Sequence, residues 1–348
     1  MPHDIHWKDR NKLMPTRSRK LAIWGSLAPY LGGKRRLCPT IFREIDRIVP
    51  RRHWPGLVLL DGFLGGGAVS LFGKAQGLRI IATDIAERSV IVGQALIQNS
   101  RVILTREDVL RIAAPSDAPP GKVEETYTPD VFTIAQARVL DRALALAGET
   151  RDVAKAALLR LLAIRVMLLA HPMSQVRAGN MAKVTDGQFD SVTQTCLPNY
   201  IAGLRLTRVD RLWQLAQRIN GGVFAGTARV LKTDILSVLS DIPASIVYLD
   251  PPYPGTSSYE REYKVIDEIL EGRSLPVSPF SKTGGAALLD RVFEKARHIP
   301  VWALSLGNAE VTIAELEAKM RRHGRLVRSI SIKYPHKASV AAKESRER

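Results

Sequence analysis

Ser245-Ile246-Val247-Tyr248-Leu249-Asp250-Pro251-Pro252-Tyr253 is the stretch on which the reading of this chain turns. Ser245 to Leu249 is apolar and β-rich and reads as a buried strand, ended by two prolines that cannot donate to a ladder. A carboxylate and an aromatic ring are thereby held at a strand's C-terminal edge, where open α/β sheets receive their ligands. Taken alone, Asp250–Tyr253 reads equally well as a diproline turn, because short motifs match by chance.

Working outward, Arg229–Lys232 reads as a strand ending at Thr233-Asp234-Ile235. Leu57–Leu60 is another buried run, and it ends in Asp61-Gly62-Phe63-Leu64-Gly65-Gly66-Gly67-Ala68-Val69-Ser70. Strand, glycine turn and helix in that order let a nucleoside lie against bare backbone. Gly65-x-Gly67 is similar to the start of a dinucleotide fingerprint, with Ser70 where the third glycine would stand. Arg79–Thr83 is a further strand with Asp84 at its tip. An acidic residue at that spacing can accept hydrogen bonds from ribose hydroxyls; otherwise Asp84 is the N-cap of a helix starting near Ala86. Before all of these, Tyr30-Leu31-Gly32-Gly33-Lys34-Arg35 precedes a helical pattern of Ile41, Ile45 and Ile48. Its glycines and Lys34 suit an anion, but Ala28 and Arg35 occupy positions where a P-loop needs Gly and Ser/Thr, which demotes triphosphate hydrolysis.

Downstream, Leu289–Arg297 reads as helix, Val301–Leu304 as strand, Ile313–Arg322 as helix and Leu326–Tyr334 as a last strand. Strands alternating with helices predict an α/β, doubly wound, mostly parallel sheet. Between its halves, residues 110–128 read as loop, with Pro115, Pro119 and Pro120. Thr133–Leu146 and Asp152–Ala170 read as amphipathic helices, the second with Arg160 and Arg165 as a polar edge. After His171-Pro172 comes a polar stretch in which Arg177, Asn180, Lys183 and Gln188 are side chains suited to base edges, or simply a solvated loop. Arg205–Ile219 returns to helix, and residues 254–285 read as a mobile loop over the site.

The formal net charge of +17 is concentrated at the ends. Residues 1–52 hold thirteen Lys/Arg against four Asp/Glu, and residues 318–348 hold ten against two, while the chain between is balanced. This distribution implies a polyanionic partner. Cys38 and Cys196 form no Cys-x-x-Cys or Cys/His cluster, which argues against a disulfide framework or a metal site and fits a reducing cytosol. No run is long and apolar enough to span a membrane, and the N-terminus has no apolar signal core.

In this order the motifs resemble the Dam-type (group alpha) N6-adenine-specific DNA methyltransferases. Tyr30-x-Gly32-Gly33-Lys34 is similar to that family's aromatic-x-Gly-Gly-Lys motif, and Asp61–Gly67 to its S-adenosylmethionine loop. Asp84 is similar to its ribose ligand, Asp234-Ile235 to the pair that brackets the cofactor adenine, and Asp250-Pro251-Pro252-Tyr253 to its catalytic motif. Gly62 stands where the family usually has proline, and the chain stops fourteen residues after Tyr334, before the apolar strand that usually closes the sheet.

The resemblance implies a methyltransferase (Rossmann-like) catalytic domain over 21–109 and 220–334. It further implies a largely helical target-recognition insertion over 110–219, a flexible basic N-terminus over 1–20 and a basic tail over 335–348. It implies S-adenosyl-L-methionine as cofactor (S-adenosyl-L-homocysteine as product) with no metal, bound by Tyr30, Lys34, Asp61, Phe63, Gly65, Gly67, Asp84, Asp234, Ile235 and Asp250. Double-stranded DNA would be the partner, contacted by Arg177, Asn180, Lys183 and Gln188. A cognate restriction endonuclease, a monomer or weak dimer, and a cytoplasmic, bacterial or phage-like setting complete the expectation. The amine of adenine is a poor nucleophile; Asp250 and the Pro251 carbonyl would accept its hydrogens, Pro252 would shape the turn, and Tyr253 would stack on the flipped base. Three alternatives stay open: an amino-methyltransferase acting on RNA adenine or cytosine N4, an inactive DNA-binding protein of the same fold, and an NAD-dependent dehydrogenase. The last would leave Asp250–Tyr253 without a role.

Overall fold

The computed structural model describes residues 23–115, 118–170, 205–252, 259–275, 278–282, 287–307 and 311–332. Five of the apolar runs become strands: β1 (Val58–Asp61), β2 (Arg79–Asp84), β3 (Ala228–Lys232), β4 (Ile246–Leu249) and β5 (Val301–Leu304). They form one sheet in the order β3-β2-β1-β4-β5, and every neighbouring pair is parallel. A parallel sheet needs helical crossovers on both faces, so its central strands are apolar on both sides. Accordingly Leu59, Leu60 and all of β4 are buried. The order reverses between β1 and β4, and such a switch point opens a crevice at the strands' C-terminal ends. Asp61 and Asp250 stand at those two ends.

The helices are α1 (Cys38–Ile48), α2 (Ala68–Ala75), α3 (Glu87–Val92), α4 (Arg106–Ala113), α5 (Lys122–Tyr127), α6 (Ile134–Glu149), α7 (Val153–Leu169), α8 (Val209–Asn220), α9 (Ile235–Val238), α10 (Tyr259–Glu262), α11 (Lys264–Glu271), α12 (Leu288–Lys295) and α13 (Ile313–Arg322). Alternate residues of the strands feed two cores. Leu59, Ile80 and Tyr248 join Phe42, Leu71 and the apolar faces of α6, α7 and α8 on one side of the sheet. Leu60, Val247 and Leu249 join Phe293 of α12 and Trp302 of β5 on the other. The first core runs without interruption from the sheet into α7, so the helical segment leans on the sheet.

Four expectations need correction. The stretch read as loop over 110–128 is helical at both ends: α4, which begins in a capping box made by Thr105 and Asp108, runs to Ala113, and α5 follows Gly121. The three prolines fall between these helices, which concealed them. The supposed loop over the site is helical in its described part, as α10 and α11, with Tyr263, Ile266 and Asp267 buried. Residues 326–332 form no strand. There Arg325 lies 4.1 Å over Trp302 and donates to the carbonyls of Arg297, Ile299 and Pro300, while Leu326 is fully exposed. Three or four apolar residues among arginines bury too little to hold an edge strand. Finally, α7 has no polar edge at Arg165, which is 5% exposed and donates to the Gly25 and Ser26 carbonyls.

Candidate active site

The floor is built from β1 and β2. Beyond Asp61 the chain turns sharply: Gly62 N–H donates to the Tyr248 carbonyl at 2.9 Å, and the Thr83 hydroxyl donates to the Gly62 carbonyl at 2.9 Å. Gly65 (φ +49°) and Gly67 (φ +75°) take left-handed conformations that other residues adopt only under strain. Gly62 makes here a hydrogen bond that a proline, lacking the N–H, could not make.

Asp84 is not the N-cap of α3, which is Ala86 and carries no side-chain cap. One carboxylate oxygen accepts from Ala86 N–H at 2.9 Å, beside the start of α3, and the other accepts from Gly65 N–H at 2.8 Å. It thus pins the glycine loop to the tip of β2 while facing the cavity. Burial, the largest influence on it, raises its pKa. Asp61 is buried more deeply, at 1% exposure. Its Oδ2 accepts the Ser70 hydroxyl at 2.7 Å, and its Oδ1 has no partner among the described residues. Burial lifts the Asp61 carboxyl to about 7, against the pull of the Ser70 hydroxyl.

The wall comes from residues 28–35. Lys34, 5% exposed, places its ammonium 3.1 Å from Asp250 Oδ2 and donates to the Gly32 carbonyl at 2.8 Å. The Tyr30 ring covers the glycine loop so closely that a Cβ on Gly66 would sit 2.7 Å from the Tyr30 Cβ. Tyr30 stacks on Tyr263 and Tyr259 with centroids 5.1 and 5.9 Å apart, and Leu31 N–H donates to the Tyr263 hydroxyl at 2.8 Å. Arg88 of α3 lies 4.6 Å over the Tyr263 ring and is ion-paired with Asp267, which is fully buried. Burial holds Asp267 up at about 6 even beside this guanidinium. One aromatic and ionic chain therefore ties α3, α10–α11 and the Tyr30 loop together.

A cavity of about 410 Å³ lies between floor and wall. Of the residues proposed from sequence, Tyr30, Lys34, Asp61, Phe63, Gly65, Asp84, Asp234, Ile235, Asp250 and Pro252 line it. Gly67 shapes the turn and starts α2, and Pro251 is buried at the end of β4. Asp234 caps α9, accepting from Leu236 N–H at 2.9 Å. Tyr253, Arg177, Asn180, Lys183 and Gln188 lie outside the described residues. Arg88, Tyr259 and Phe280, which meets Phe63 edge-on at 5.2 Å, also line the cavity; the last two fall in the 254–285 stretch read as lying over the site, and none of the three was named as a site residue from sequence. Their only signal was an arginine four residues after Asp84 and the Tyr259-x3-Tyr263 pair, neither of which names a role.

Residues 30–132 match the family described as D12 class N6 adenine-specific DNA methyltransferase. The chain is also 27% identical over 330 residues to the Type II methyltransferase M2.HphI of Haemophilus parahaemolyticus, covering 92% of this chain and 94% of that relative. Both findings agree with the resemblance drawn from the five motifs.

Proposed function

We propose, for a chain that fits the Dam-type N6-adenine DNA methyltransferases, that it transfers a methyl group from S-adenosyl-L-methionine to N6 of an adenine flipped out of duplex DNA. The family match supports adenine-specific DNA methylation, and the relative's name supports methyl transfer. The observation that carries the site is the Lys34–Asp250 ion pair lining a switch-point cavity floored by the glycine loop.

The cavity residues suit this cofactor. Asp61 Oδ1 is a buried acceptor with no partner among the described residues, fitting a donor-rich, positively charged ligand such as an ammonium. Asp84 faces the same space and suits ribose hydroxyls, and Ile235 with Phe63 offers apolar faces to a purine. When bound, S-adenosylmethionine supplies an activated methyl on a sulfonium leaving group.

The chain's own contribution is to make the amine nucleophilic. Asp250 accepts one N6 hydrogen and the Pro251 carbonyl the other, drawing the nitrogen toward tetrahedral geometry. Both contacts strengthen as positive charge develops on nitrogen, which is the differential stabilisation catalysis needs. Lys34 holds one carboxylate oxygen, so Asp250 keeps a fixed orientation toward the base. Tyr253 stacks on the flipped adenine, and Arg177, Asn180, Lys183 and Gln188 contact DNA. The enzyme works with a cognate restriction endonuclease in a cytoplasmic setting, as a monomer or weak dimer and without a metal. The test is labelled methyl transfer to unmodified plasmid, with nucleoside digestion to locate the label. Label on N6-methyladenine supports the proposal; label on N4-methylcytosine, or none while S-adenosylmethionine still binds, contradicts it.

A further inference from the structure

A second cavity, of about 670 Å³, lies on another side of the same loop that walls the first. Three guanidinium-bearing residues line it: Arg35 from the loop, Arg165 from α7 and Arg218 from α8. Arg35 lines both cavities, so the two are adjacent. No carboxylate is among the described residues of the second lining, which otherwise holds Trp24, the amides of Gln214 and Gln217, and small or apolar groups.

Folding brings these like charges together; Arg35 donates to the Ala28 carbonyl, while Arg165 is the most deeply buried of the three. Arg165 is 5% exposed, uses one nitrogen on the Gly25 and Ser26 carbonyls, and keeps its Nε buried with no partner among the described residues. Burial first, then Arg35 and Arg218, push its pKa down to about 10. A guanidinium left this way is a donor waiting for an acceptor, and phosphate, like carboxylate, matches its planar fork. The Gln214 and Gln217 amides supply further donors of the kind that position a sugar-phosphate backbone.

The position in the chain narrows the choice of phosphate. Arg165 stands near the end of α7, from which the chain runs into 171–204, the stretch proposed above to contact bases. The chain comes back through α8, which carries Arg218. The two arginines therefore bracket that stretch in sequence and stand beside the methyl-transfer cavity in space. We propose that this pocket holds a phosphodiester of the DNA backbone, gripped by Arg35, Arg165 and Arg218, and so sets the register of the duplex relative to Asp250. This inference rests on the reading of DNA as substrate.

The experiment measures duplex binding by the full chain, without cofactor, across a salt series. Each phosphate neutralised contributes about 0.9 to the slope of log affinity against log salt. Arg218 is exposed, so Arg218→Ala leaves the core intact. The variant is expected to flatten the slope by about 0.9 and to weaken cognate and unrelated duplexes alike, while Arg218→Lys restores the slope. Arg165→Gln, accepted only if its thermal midpoint stays near wild type, is expected to do the same. Arg297→Ala, an exposed arginine outside the cavity, is the control for loss of charge alone and should leave the slope as it was.

An unchanged slope in Arg218→Ala overturns the proposal. So does inorganic phosphate, at matched ionic strength, raising the wild-type midpoint but not that of Arg218→Ala while the DNA slopes coincide, because the pocket is then a free-phosphate site. Failure of the methyltransferase reading is separable: it would appear as absent methyl transfer with the slope change still present.

Discussion

Two cavities share the residues 28–35 loop and are built on opposite electrostatic plans. The first gathers Asp61, Asp84, Asp234, Asp250 and Glu260 with Lys34, Arg35, Arg88 and Arg291, and Lys34 pairs with Asp250 inside it. The second gathers Arg35, Arg165 and Arg218 with no acidic counterpart among its described residues. Acidic groups at a switch point suit a cationic small molecule; an arginine-lined pocket suits a polyanion. The difference also separates two kinds of information. The first cavity is made of contiguous motifs at strand tips, whereas the second is made of residues from three distant segments that only the fold unites.

The sharpest way to break the comparison is to remove what holds the first cavity's wall. Arg88→Met leaves Asp267 buried and unpaired, and is expected to destabilise the protein by about 3–5 kcal/mol. Urea denaturation checks it, and adding Asp267→Leu should recover part of the loss. Next in size is Gly62→Pro, which restores the family's usual residue. It deletes the N–H that donates to Tyr248, so a cost of about 1–3 kcal/mol is expected, read from the same denaturation curves. A neutral result would show that the turn tolerates the loss.

A smaller effect is the pH dependence of stability, which sharpens the electrostatic contrast. Burial holds Asp61 at about 7 and Asp267 at about 6, both above the unfolded value near 3.9. Between about pH 4 and 7 the folded state therefore binds more protons than the unfolded state, so these carboxyls erode stability as pH rises through that window. The thermal midpoint of ligand-free protein should fall less between pH 5 and pH 8 in Asp61→Asn than in wild type. An equal fall in both would place Asp61 outside this account.

How much of this was legible in the sequence follows from the same contrast. All five strands were readable, the central β2, β1 and β4 because buried parallel strands need continuous apolar runs, and Val301–Leu304 and Ile313–Arg322 were read to the residue. The cavity's motif residues were readable because glycines and acids at strand tips have few other uses. Arg88 and Asp267 were not, since a buried ion pair 179 residues apart leaves no local periodicity. The helices α4 and α5 were hidden by prolines between them, and α10–α11 by the glycines and tyrosines around them. The strand expected over 326–334 followed local alternation, but an edge strand needs a neighbour and enough apolar area, and residues 326–332 bury little. Arg165 was read as an edge because one arginine in an apolar helix is usually exposed; here it reaches two backbone carbonyls instead.

The central claim is that Asp250, held by Lys34, activates the N6 amine of adenine. It is tested most directly by comparing wild type with Asp250→Ala in single-turnover methyl transfer to duplex DNA, with S-adenosylmethionine binding measured alongside. The account predicts a loss of at least about a hundredfold in the methyl-transfer rate, with the cofactor still bound by the variant. A variant that methylates adenine within a fewfold of the wild-type rate would contradict it.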